Sequence, residues 1–265
     1  MRALYIRLTL LIALFLAGCS APELPSLPSL PALPDELRQL PDLVRELGLP
    51  DLSSITDLPG LDALPSFQAP PGAIRFSGPI ERRVNVGERI PGTDIMLTAG
   101  GQGEATFQIA GLNSVRRVGD SLDFDGDWVG LPGAPYNTRL RLYSIADDHV
   151  RIAGVHQLTV PNIQPMEGTP VSGTFTMRFP YTDSAEVGGG AFDGITQGYA
   201  GSTERGAQIT GLPQNVYPYL KTGDSLRWIG ALRPDIGAEF NLRMLNYGEN
   251  SARVGGIVTL TLPGS

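Results

Sequence analysis

The chain has 265 residues, and its 33 Gly and 23 Pro point to many turns and little helix. With 20 Lys+Arg against 27 Asp+Glu the formal charge is -7, which argues against the basic face of a nucleic-acid binder. Lys221 is the only lysine and Cys19 the only cysteine, so no intramolecular disulfide braces the fold, which must rest on its own core.

The N-terminus reads MRALYIRLTLLIALFLAGCS. Arg2 and Arg7 give a positive start. Leu8–Leu16 is an apolar run too short to span a bilayer comfortably as a permanent helix. Leu16-Ala17-Gly18-Cys19 follows: a leucine, two small residues and a thiol. This stretch resembles the lipobox of bacterial lipoproteins. The resemblance implies that residues 1–18 are a signal peptide and that Cys19 becomes the new N-terminus, joined to diacylglycerol through a thioether. Lipoproteins carry at least two acyl chains there, which turns marginal binding into stable anchoring. Enteric lipoproteins retained at the inner membrane carry Asp after the cysteine. Ser20 therefore points, by the same resemblance, to the outer membrane, facing the periplasm or the cell surface.

Residues 19–73 read as a tether. Eleven of the 23 prolines lie between Ser20 and Ala73. In LPSLPSLPALP, Leu24–Pro34, a proline at every third residue matches the turn of polyproline II and stacks Leu24, Leu27, Leu30 and Leu33 along one edge. PDELRQL and PDLVRELG then predict two short helices, each with Pro in the first turn, the second stopped by Gly48. The composition fits a semi-rigid spacer, and its many leucines suit some self-packing or interfacial contact.

Beyond Ile74 the chain repeats itself. Gln108–Leu112 (QIAGL) matches Gln208–Leu212 (QITGL), Val118–Leu122 (VGDSL) matches Thr222–Leu226 (TGDSL), and Val150–Pro161 matches Ala252–Pro263. The offsets are 100, 104 and 102 residues, so small loop insertions separate the copies. The matched segments alternate with period two: Val150, Ile152, His156, Leu158 and Val160 share one face, and Arg151, Gln157 and Thr159 take the other. This predicts half-buried strands, about five or six per copy, joined by hairpin turns at SIADDHV and NYGENSA. The fold class is all-β: two tandem homologous small barrels or sandwiches, residues 74–165 and 166–265. A single β structure shared by the copies is the alternative; about 95 residues suffice for a separate core, so tandem modules are preferred.

The two Gly-Asp-Ser-Leu runs resemble the signature of the GDSL esterases, in which the serine is a nucleophile. That resemblance implies a histidine three residues after an aspartate. The two histidines here, His149 and His156, follow Ala146 and Ala153 instead, and the second copy has none. A serine without a base is a weak nucleophile. Ser121 and Ser225 are therefore read as turn residues: Gly119 and Gly223 at positive φ, Asp120 and Asp224 accepting backbone hydrogen bonds, and Leu122 and Leu226 starting buried strand faces.

Asp123, Asp125 and Asp127 resemble the start of an EF-hand loop. Trp128 stands where that loop needs Gly, and Ala134 where it needs Glu, so a solvated strand face is expected rather than a metal site. His156, matched by Val258 in the other copy, is expected partly buried and hydrogen-bonded. The matched pairs Arg141/Arg243 and Arg151/Arg253 read as ordinary charged outer faces. No catalytic residue, metal or cofactor is assigned. The chain reads as a non-catalytic, lipid-anchored envelope protein, bound to the membrane through Cys19, whose two modules offer two similar sites to an envelope protein or glycan. The alternatives are an esterase-type hydrolase and a small-ligand carrier.

Overall fold

A computed structural model describes residues 58–66, 69–168, 171, 173 and 175–264. The lipobox, the proline ladder and the two predicted tether helices lie outside the described residues. All described residues belong to one compact unit, which is all-β.

The first copy contains β1 (Ile74–Asn85), β2 (Met96–Gly101), β3 (Glu104–Ile109), β4 (Leu112–Arg117), β5 (Phe124–Asp127), β6 (Pro135–Ile145) and β7 (His149–Val160). After β8 (Met166–Glu167), the second contains β9 (Phe175–Glu186), β10 (Gly198–Thr203), β11 (Gly206–Thr210), β12 (Tyr219–Leu220), β13 (Ser225–Arg233), β14 (Ile236–Tyr247) and β15 (Ser251–Leu262). The larger sheets run β1-β7-β6-β5 and β8-β13-β14-β15-β9, and the smaller ones β2-β3-β4 and β10-β11-β12. Strand for strand, the second copy follows the order of the first. Seven strands per copy exceed the five or six expected, because pieces as short as β12 and β5 are too brief for alternation to reveal. The hairpins fall where the polar connections placed them: Ala146 N donates to His149 O (2.8 Å) and Gly248 N to Ser251 O (2.9 Å).

Alternation sorts the inner faces as the sequence does. Val150, Ile152, Leu158 and Val160 are buried, as are Val254, Val258, Leu260 and Leu262. Each copy builds its own sheets, yet the largest apolar cluster joins Phe76, Trp128, Tyr136 and Leu158 of the first copy to Phe179, Trp228, Phe240 and Val258 of the second. A smaller cluster, Val84, Leu97, Phe107, Leu122, Leu140 and Ile152 among others, fills the space between the two sheets of the first copy alone.

One half-buried strand proves buried on both sides. Gln157 and Thr159, on the face of β7 expected to be solvated, are each 2% exposed. The end of the tether lies on this face: Leu64 is buried. The Gln157 amide donates to Pro65 O (3.2 Å) and accepts from Arg75 Nε (3.2 Å). The covering residues are some ninety positions away in sequence, beyond the reach of a local pattern.

Candidate functional site

The two GDSL runs fold alike, hydrogen bond for hydrogen bond. Gly119 and Gly223 take φ of 94° and 92°, the left-handed region that glycine occupies without steric cost. Asp120 Oδ2 accepts from Arg117 N (2.8 Å) and Asp224 Oδ2 from Lys221 N (2.7 Å). Gly119 N donates to Leu142 O and Gly223 N to Met244 O, fastening each turn to the neighbouring strand. Leu122 and Leu226, 2% and 3% exposed, begin the buried faces.

The serines project from the opposite side of the sheet and are exposed. Ser121 bridges to Arg141 and Ser225 pairs with Arg243. Arg243 Nη1 reaches Gly223 O (2.8 Å) and the Ser225 hydroxyl oxygen (3.4 Å). A guanidinium stays protonated and takes no proton from a serine. His156 lies on the inner face opposite Thr138, so the sheet separates it from Ser121. His149 starts β7, four residues from Ala153, the partner of Arg141; that is roughly 13 Å along the strand. Its Nδ1 lies 2.6 Å from Asp148 Oδ1.

Asp123, Asp125 and Asp127 share one exposed face, as strand geometry requires. Arg139 grips Asp125 through its Nη1 and Nη2 (2.9 and 3.0 Å). Arg141 stands 3.5 Å from Asp123, and Gly133 N donates to Asp127 Oδ2 (2.8 Å). The second copy pairs differently: Arg227, where the first has Asp123, meets Glu239 at 2.7 Å. Such exposed pairs contribute up to about 1 kcal/mol each. Among the described residues, no group of three or more His, Cys, Asp or Glu is arranged to hold a metal ion.

His156 is 2% exposed, more deeply buried than expected. Its ring stacks on Phe179 with centroids 4.5 Å apart and planes inclined by 20°. Its Nδ1 lies 3.3 Å from the Tyr136 hydroxyl, while Nε2 has no partner. Burial, helped by the nearby Arg82 charge, pulls its pKa down to about 3. The unfolded chain binds a proton near pH 6.5 that the folded chain refuses. Stability is therefore full above about pH 6.5 and falls by about 1.4 kcal/mol per pH unit below it, towards pH 3. Denaturant unfolding checks this: between pH 7 and pH 5 wild type loses about 2 kcal/mol more than His156→Val. Equal losses in the two proteins would show that the ring titrates normally.

The second copy has a cleft that the sequence reading did not single out. It has a volume of about 230 Å³ and is lined by Gln197, Glu167, Leu212, Val216, Tyr217 and Arg227, among others. The connection from Leu212 to Gly223 is four residues longer than its counterpart from Leu112 to Gly119, and it supplies the apolar wall. Val216 and Tyr217 are 49% and 63% exposed. Tyr217 meets Tyr219 edge-on at 5.4 Å, and Arg205 lies over the Tyr219 ring at 5.5 Å. Opposite them, Thr196 Oγ1 donates to Glu167 Oε2 (3.1 Å) and accepts from Trp228 Nε1 (3.0 Å). Gln197 is 1% exposed and its Oε1 has no hydrogen-bond partner. The rise in repeat offset from 100 to 104 was the sequence signal for this wall.

Comparison with known proteins finds no matching family model, no matching curated protein and no matching solved structure.

Proposed function

We propose that the chain is a lipid-anchored protein of the bacterial envelope, held at the outer membrane through Cys19, whose duplicated β domain binds an envelope component and does no chemistry on it. The anchor rests on the Leu16-Ala17-Gly18-Cys19 run behind its basic and apolar leader. The observation that carries the non-catalytic reading is the likeness of the two GDSL turns. Both use Gly and Asp to close the same backbone bonds, and both leave the serine beside an arginine. One structural role accounts for both copies, including the copy that has no histidine. The acidic net charge of -7 sets nucleic acid aside as a partner.

Two measurements test the proposal. Cys19→Ala is expected to move the protein from the membrane fraction to the soluble fraction and to remove the mass of the acyl chains; unchanged fractionation and mass refute the anchor. The purified protein is expected to leave model esters intact, with Ser121→Ala and Ser225→Ala each altering stability by less than about 0.5 kcal/mol, as exposed substitutions do. Ester hydrolysis that either substitution abolishes, with the fold kept, makes the protein a hydrolase.

A further inference from the structure

We infer that the second copy alone carries a saccharide site: the cleft between Gln197 and Tyr217 takes one uncharged sugar ring of a glycan. The inference rests on the reading of the domain as a binder, and it replaces the two similar sites expected from the repeat with a single site.

The internal repeat supplies its own control. The turns Ile90–Ile95 and Phe192–Gln197 are closed by the same bond, Ile90 N to Ile95 O and Phe192 N to Gln197 O, both 2.8 Å. Ile95 and Gln197 end these turns and are each 1% exposed. An isoleucine thus satisfies this position in one copy, and the backbone asks nothing of a glutamine in the other. A buried amide oxygen without a partner is a net cost to the fold. Packing leaves the Gln197 amide oxygen unsatisfied beside the cleft, and a ligand hydroxyl admitted to it would supply the missing donor.

The rest of the wall belongs to the same chemistry. Tyr217 and Val216 present exposed apolar surface on a loop that the first copy lacks. An aromatic face of this kind receives the C–H face of a sugar. Glu167 also borders the cleft; its carboxylate accepts from Thr196 Oγ1 and keeps acceptor capacity for ring hydroxyls. Ser225 also borders the space. Arg227 faces Glu239 across β13–β14, so its charge is already matched and the cleft does not select an anion. At about 230 Å³ the space falls below the ~300–1,000 Å³ that takes drug-sized ligands. One ring fits, with further residues of the glycan left to run over the exposed Tyr217.

The test uses the full lipidated chain in a zwitterionic detergent that carries no sugar headgroup. Glucose, galactose, mannose and N-acetylglucosamine, each as monomer and β-linked dimer, are titrated by calorimetry. At least one is expected to saturate at millimolar concentration or below. Tyr217→Ala is expected to weaken that binding at least tenfold with Tm unchanged. Gln197→Ile, which installs the residue of the first copy, is expected to weaken it at least tenfold while Tm stays level or rises. Ile95→Gln is expected to create no second site. Saturation by none of the sugars overturns the inference, as does binding that survives either cleft substitution. Ester hydrolysis would defeat the non-catalytic reading separately, since it is measured on different substrates and depends on Ser121 or Ser225.

Discussion

Phe179→Ala is expected to destabilise the whole described unit by about 3–5 kcal/mol, the range for truncating a buried aromatic. Phe179 belongs to the second copy and is 0% exposed. Its contacts reach into the first copy: the His156 ring at 4.5 Å and the Phe76 ring at 5.7 Å. The next residue, Pro180, lies so close to Gly78 of β1 that a Cβ at Gly78 would stand 2.7 Å from Pro180 Cδ. The cavity left by the substitution would open where the copies meet, and neither collapses onto it without disturbing the other. Scanning calorimetry is expected to give one transition for both copies, lowered by roughly 6–20 °C at about 2–4 °C per kcal/mol for a unit of this size. Two transitions, only one of them displaced, would show that the copies unfold independently.

Gly92→Ala is expected to cost about 2–5 kcal/mol. Two effects add at this position. Gly92 has φ of 79°, where a Cβ carries a penalty of about 1–2 kcal/mol. That Cβ would also stand 2.2 Å from Cε3 of Trp128, and overpacking of this kind costs about 1–3 kcal/mol. Trp128 has little room to withdraw. It is 1% exposed, packs edge-on against Tyr136 at 5.0 Å, and donates through Nε1 to Pro263 O at 3.3 Å. Gly103 provides the comparison, with φ of 81° and nothing within 4 Å of its Cβ position. Gly103→Ala is expected to show the conformational penalty alone. Equal losses at the two glycines, measured by urea unfolding, would mean that the tryptophan yields and the overlap carries no cost.

Features governed by neighbours in the chain were legible in the residues. The GDSL turns are closed largely by bonds spanning three residues, such as Asp120 N to Arg117 O and Arg117 N to Asp120 Oδ2. Gly-Asp at that spacing therefore indicates the turn without knowledge of the fold. The inner face of β7 was legible for a similar reason, since alternate side chains point to opposite sides of any strand. The third carboxylate of the acidic run shows where locality ends. Its partner Gly133 N is six residues on, and Arg139 and Arg141 reach Asp125 and Asp123 only because β6 pairs antiparallel with β5.

By itself the sequence determined the all-β class, the order of matched segments in the two copies and the shape of their GDSL turns, because periodicity and turn chemistry act within a few residues. The tertiary structure decided where the copies meet, since burying Phe76 and Tyr136 against Phe179 depends on how two sheets face one another, and alternation marks an apolar face without naming what covers it. It also decided that Gln157 is buried beneath Pro65, a contact between distant segments. The cleft is the clearest case. Its walls come from β8, the turn ending at Gln197, the connection after Leu212 and the start of β13, four stretches that only the closed fold brings together. The excess of four residues in that connection was visible in the chain, but the unpaired amide it faces was not, because whether a polar group has a partner is a property of the packed interior.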